Sequence, residues 1–211
     1  MGKQNTEYES VAISDNLQTN INYIKDIFKK DSILRIRQIK MSTGLGTGVD
    51  CCLVYFDGMV NSDLLNDSVV FPLTRSKIVL PPASLIDHIE KKVLFAGELK
   101  QTASITEILR GIEYGDTALF VDGYSTVLLI NTKGFDTRGI SEPEDERILQ
   151  GPREGFGEAI LLTTAMLRRK LQTPDLCIEA QRIGRRTDTN VFVCYLDSLV
   201  DPVMLAELQD R

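Results

Sequence analysis

At 211 residues, with 43% hydrophobic and 26% charged side chains, the chain has an ordinary soluble, globular composition and can bury one large core or two small ones. A formal net charge of −6 argues against the clustered cations that a nucleic-acid surface needs. No run approaches the roughly 18 apolar residues of a spanning helix, and the polar stretch 1–10 lacks the apolar segment of a secretory signal.

After that tail, Ser14 is placed to cap a helix carrying Leu17, Ile21, Ile24 and Phe28 on one face. Residues 33–39 alternate apolar and charged side chains, Leu34 and Ile36 against Arg35 and Arg37, which predicts a half-buried strand. The Gly44-Leu45-Gly46-Thr47-Gly48 loop then leads into an apolar run over 51–56, read as a buried strand and closed by Asp57-Gly58. That loop joins two strands and lacks Gly-Lys-Ser/Thr, so it reads as a hairpin connection and not a phosphate loop.

Further along, Pro81-Pro82 precede a helix with Leu85, Ile86 and Ile89. Ser104-Ile105-Thr106-Glu107 is a capping box that opens a short helix ending near Gly111. Strands over 117–121 and 126–130 flank Asp122-Gly123, a hairpin signal. Gly151 and Pro152 suit the start of another helix, with Glu154 and Glu158 complementing its positive end. Phe156, Ile160, Leu167 and Leu171 form its expected buried stripe, and Arg168-Arg169-Lys170 fall in its last turn. Strands over 176–181 and 191–196 follow, with a final helix over 201–210.

The helix–strand–strand–helix pattern therefore occurs twice. Leu17, Ile21, Ile24 and Phe28 align with Ile160, Thr164, Leu167 and Leu171; Tyr55-Phe56-Asp57-Gly58-Met59-Val60 aligns with Tyr195-Leu196-Asp197-Ser198-Leu199-Val200, and Leu65 with Leu205. We expect an α/β fold of two small lobes, each a mixed β-sheet with packed helices, arising by internal duplication. The expected divisions are a tail over 1–13, a first lobe over 14–135, a linker over 136–150 and a second lobe over 151–211. The second lobe has no counterpart of the Asp122-Gly123 hairpin and reads as incomplete.

Chemistry is sparse. Cys51, Cys52, Cys177 and Cys194 form no C-x-x-C pair and read as buried, reduced thiols of a reducing compartment. His88, the sole histidine, has no evident nucleophile to serve and reads as a surface or boundary residue. Glu142, Glu144, Asp145 and Glu146 lack the spacing of a calcium loop. No catalytic residue, cofactor or metal site is expected. Arg153, a cation near the positive end of a helix, asks for a partner such as Glu142 or Glu144; the preferred reading is a clamp between the lobes at Glu142, Arg153 and Glu154, and an anion site formed by Arg153 and the helix start is the alternative.

Ser141-Glu142-Pro143-Glu144, then Gly151-Pro152-Arg153-Glu154-Gly155-Phe156 and Leu167-Arg168-Arg169, resemble the signature of the A subunit of spore germinant receptors, the GerA family. Gly115-Asp116-Thr117-Ala118-Leu119-Phe120-Val121-Asp122-Gly123 resembles that family's hairpin, and Tyr195-Leu196-Asp197 its next strand end. Gly157 departs from the small polar residue expected after Phe156. The resemblance implies a soluble N-terminal domain on the cytoplasmic (core) side of the spore inner membrane, joined to a transmembrane part absent from this chain. It implies partners in B and C subunits and other A subunits, and a role in assembly and in coupling nutrient sensing to ion release. A small nutrient held in the cleft between the lobes is the alternative it leaves open.

Overall fold

The computed structural model describes residues 11–42, 48–75, 85–134 and 155–210. The expected linker 136–150 and signature residues Glu142, Pro143, Glu144, Gly151, Pro152, Arg153 and Glu154 lie outside them.

Helix α1 (Leu17–Ile27) buries Leu17, Ile21 and Ile24, and Phe28 follows at its end, 4% exposed. Its N-cap is Asn16, whose side chain accepts from the Thr19 amide, and not Ser14 as expected. Ser14 instead exchanges two hydrogen bonds with the buried side chain of Asn20, which fixes the chain's entry into the helix.

Strands β1 (Leu34–Met41) and β2 (Val49–Phe56) pair antiparallel, from Leu34 opposite Phe56 to Met41 opposite Val49. A helical excursion follows: α2 (Ser62–Leu65), a π turn (Asn66–Val70) and α3 (Phe71–Arg75). The change of pitch has a local cause. Pro72 has no amide hydrogen for the carbonyl of Ser68, which accepts from the Phe95 amide instead. Helix α4 (Leu85–His88) continues into a second π turn (Ile89–Val93), and β3 (Leu99–Thr102) comes next.

Helix α5 (Ile105–Glu113) starts at the predicted Ser104 cap, but its capping box is relayed. The Ser104 amide donates to the Thr102 hydroxyl, and that hydroxyl donates to Glu107 at 2.7 Å. Strands β4 (Thr117–Val121) and β5 (Val127–Ile130) form the predicted hairpin, with Gly123 in the left-handed region at φ 85°. Asp122 in that turn accepts from the Leu17 amide, so the hairpin also holds the start of α1.

The five strands form one sheet in the order β1-β2-β4-β5-β3. Helices α1 and α5 cover one face, meeting Cys52, Val54 and Phe56 of β2. Segments 62–75 and 85–93 cover the other, meeting Cys51 and Leu53. The second unit is α6 (Ile160–Lys170), β6 (Leu176–Ile183), β7 (Thr189–Leu196) and α7 (Pro202–Asp210). Its two strands form a separate sheet. The two-sheet α/β architecture expected from the sequence is present, although the strands run antiparallel throughout both sheets and not in mixed directions.

The repeat extends to hydrogen bonds. Asp57 and Asp197 each donate an amide to a carbonyl that precedes the unit's first strand, at 2.8 and 2.9 Å. Met59 bonds back to Phe56 as Leu199 does to Leu196.

Helix α6 differs from expectation. Its N-cap is Ala159, so Phe156 precedes the helix and is 68% exposed. The buried stripe is Thr164, Ala165, Met166 and Arg168, while Leu171 is exposed. The 3.6-residue period groups residues by face, but the packing partner decides which face is turned inward.

Candidate functional site

Ala165 of α6 and Leu176 and Ile178 of β6 enter the same apolar core as Phe28, Ile33 and Phe56. The second unit is thus docked on the α1/α5 side of the large sheet. Backbone joins them too: the Ser32 amide donates to the Ile178 carbonyl, and the Ala180 amide donates to the Ser32 hydroxyl, both at 2.8 Å.

At the centre of this junction lies Arg168, fully buried and the largest such side chain in the core. Its guanidinium pairs with Asp31, which is also buried and follows α1 in the first unit. It donates further to the carbonyls of Thr173 and Leu176, each at 2.9 Å, and sits 4.4 Å from the centre of the Phe56 ring. Asp31 accepts in addition from the Ile33 amide. Burying such a pair costs desolvation, which close geometry and the further hydrogen bonds to Thr173, Leu176 and Ile33 offset. Burial still raises the Asp31 carboxyl above its ordinary range, against the pull of Arg168.

Beside the junction the two units leave an open cleft of about 1020 Å³. Residues 26–31 and α5 form one wall; residues 172–177 and Asp197 form the other. Lys30 reaches across it to Asp197 at 2.5 Å, a pair exposed by 38% and 44%. Another carboxylate, Glu113 at the end of α5, lines the cleft while only 2% exposed. Its Oε1 has no hydrogen-bond partner, and neither does Nε of Arg168. Burial pushes the Glu113 carboxyl up to about 7, with Arg168 and Arg110 opposing.

Sequence reasoning placed the inter-lobe clamp at Glu142, Arg153 and Glu154, which are outside the described residues. It read Arg168 as an end-of-helix cation and did not single out Asp31 or Glu113. A signal for Glu113 existed. It stands four residues after Leu109 and eight after Ile105, on the apolar stripe of α5.

Burial pushes the thiols of Cys51 and Cys52 up to about 12, where a thiolate is not available as a nucleophile. Cys177 is buried as expected, but Cys194 is exposed, against expectation. His88 is half-buried at the sheet's far face, on a helix remote from the cleft lining. Among the described residues no cluster could hold a metal ion, and no helix is long and apolar enough to cross a membrane.

A sequence model of the Bacillus/Clostridium GerA spore germination protein family matches residues 22–211. Spore germination protein KA of Bacillus subtilis is 28% identical over 208 residues, covering 99% of this chain and 38% of that protein. The uncharacterized membrane protein YfkQ of Bacillus subtilis is 30% identical over 202 residues, covering 94% of this chain and 38% of that protein. This chain therefore spans about two-fifths of the length of these relatives. The crystal structure of the N-terminal domain of the A subunit of the Bacillus megaterium spore germinant receptor GerK3 shares the fold. Its TM-score is 0.67 at 23% identity, covering 95% of this chain and 72% of that one.

Proposed function

This chain belongs to the GerA family of spore germination proteins, and from that premise we propose that it is a signalling and assembly module of a germinant receptor A subunit. In this reading it works with B and C subunits and other A subunits at the spore inner membrane, and couples nutrient sensing to ion release without catalysis. In the same reading a first lobe over 14–135 and a second over 151–211 are joined by a linker over 136–150.

The observation that carries the reading is the buried Arg168–Asp31 tie between the two units. Coupling requires two states with different contacts at a shared interface. A junction centred on one charged pair is stable when closed and costly when half-broken, which makes intermediate positions unfavourable. The exposed Lys30–Asp197 pair adds a weaker tie over the cleft mouth. In spores carrying Lys30→Ala or Arg168→Ala at normal protein level, we expect nutrient-triggered ion release to slow. A full response from Arg168→Ala spores would contradict the coupling role. Arg153 with Glu142 is a second proposed tie; an Arg153→Ala protein unchanged in stability and germination would remove it.

A second reading, the nutrient held in the cleft itself, is favoured by the cleft's size and by its position at a junction between two units. It is tested by whether candidate nutrients raise the melting temperature of the chain.

A further inference from the structure

We propose that the junction between the two units is a proton-operated latch, closed over Glu113 while that carboxyl keeps its proton and released when it ionises. The inference rests on the reading of the Arg168–Asp31 junction as a movable contact, and adds what moves it.

The charges enclosed at the junction do not balance. One cation of the second unit, Arg168, enters the first beside two buried carboxyl groups, Asp31 after α1 and Glu113 at the end of α5. Its directed hydrogen bonds go to Asp31 and to the carbonyls of Thr173 and Leu176, and its Nε is left over. Oε1 of Glu113 receives no hydrogen bond either, so Arg168 acts on it through space alone. With both carboxyls ionised the enclosed trio carries a net negative charge; with Glu113 protonated it is neutral. An interior that solvates charge poorly favours the neutral set.

The surroundings leave that choice in place. Arg110, three residues earlier on α5, is the second cation acting on Glu113, and it is exposed. The strands packed on α5 offer the shared core only apolar groups and Cys52, a thiol kept neutral by its shift to about 12. From α1 come Ile24 and Phe28, and from β6 comes Cys177, which burial also holds neutral. Asp116 beyond the helix end is bound to Lys133, and Lys30 to Asp197. The Glu113 carboxyl is accordingly pushed up to about 7 although both arginines oppose the shift.

Moving the second unit away withdraws Arg168 and admits water, because residues 172–177 line the opposite wall of the cleft that Glu113 lines. A hydrated glutamate ionises near its ordinary 4.5. The closed form thus holds a proton that the open form gives up. Closure has its full support below about pH 4.5 and loses it as the pH rises through about 7.

The test is amide hydrogen exchange of the full 211-residue chain between pH 5 and pH 7.5, corrected for the intrinsic pH dependence of exchange. The amides of β6 and of Ser32, which bonds the Ile178 carbonyl across the junction, report its opening. We expect their opening equilibrium to rise on the order of fiftyfold over that range. Asp31, also raised by burial, would release its proton with the same sign, and Glu113→Gln separates the two. In that variant the rise should shrink to about fivefold or less. A constant opening equilibrium for β6 while β2 and β4 lose protection would overturn the latch, as Glu113 would then stay enclosed when the second unit moves. An unchanged rise in Glu113→Gln would overturn it too, and both results leave the movable junction standing. A single opening shared by both sheets would overturn latch and junction together. If Glu113→Gln fails to fold, the wild-type contrast between β6 and β2 decides the matter alone.

Discussion

The two units are built on one pattern and are buried to different degrees. In the first, β2 is paired on both edges, and Cys51 and Leu53 on its outer face are fully buried beneath the 62–75 helices. In the second, β7 has one partner, and the equivalent Val191 and Val193 are only half-buried. Leu65 is 3% exposed, whereas Leu205 is half-buried on α7, a helix with no buried residue. Leu199, Val203, Met204 and Leu208 beside it are 60% to 78% exposed. Alternation along a strand thus specifies which face a residue occupies, but what lies opposite that face decides whether it contributes to stability. The second unit is held chiefly by its junction with the first, through Ala165, Leu176, Ile178 and Arg168.

The sharpest way to break that picture is at the junction. Arg168→Ala strands Asp31 as a buried, unpaired charge and frees two carbonyls, and should cost about 3–5 kcal/mol in urea unfolding. A cost below about 1 kcal/mol would mean that the tie is open in solution.

Substituting the paired positions of the repeat sharpens the comparison directly. Leu65→Ala should cost about 2–4 kcal/mol, and Leu205→Ala about 1 kcal/mol or less. Equal costs would show that α7 is covered in solution as the 62–75 helices are.

Glu113, buried beside the junction, makes stability depend on pH. Its folded pKa, about 7, lies above the ordinary 4.5, so the folded state holds this proton more tightly than the unfolded one. Its contribution is intact below about pH 4.5 and is lost as the pH rises towards 7, a change on the order of 3 kcal/mol. Glu113→Gln should flatten the stability profile between those values, read as the difference between the two proteins' urea midpoints across the range. Parallel profiles would show that Glu113 is paired or solvated.

A smaller effect is expected at the turn after β2. Gly58 has φ 79°, and a Cβ there would lie 2.8 Å from the Leu161 carbonyl oxygen of α6. Gly58→Ala should cost about 1–2 kcal/mol in urea midpoint, through the strained backbone and the displaced helix. Its counterpart Ser198 is exposed and bonds Asp175, and Ser198→Ala should cost under about 1 kcal/mol.

Much of this architecture was legible in the chain. Leu17, Ile21, Ile24 and Phe28 kept the predicted face because 3.6-residue spacing and burial agree there. Asp122-Gly123 gave the hairpin through local turn geometry. Strand β3 escaped notice because Leu99-Lys100-Gln101-Thr102 is too short and too polar to show a period; it is a strand through its pairing with β5. The site was harder. Arg168 in a last helical turn looks like dipole compensation, and only the placement of Asp31, far away in sequence, turns it into a buried tie. Contacts of that separation leave no local periodicity to read.

The most direct test of the account is native-state hydrogen exchange on the wild-type chain. It predicts that amides of β6 and β7 exchange through an opening of lower free energy than those of β2, β4 and β5, with the Ser32 amide opening alongside β6. One shared opening free energy for both sheets would contradict it, because the chain would then unfold as a single cooperative body with no junction to switch.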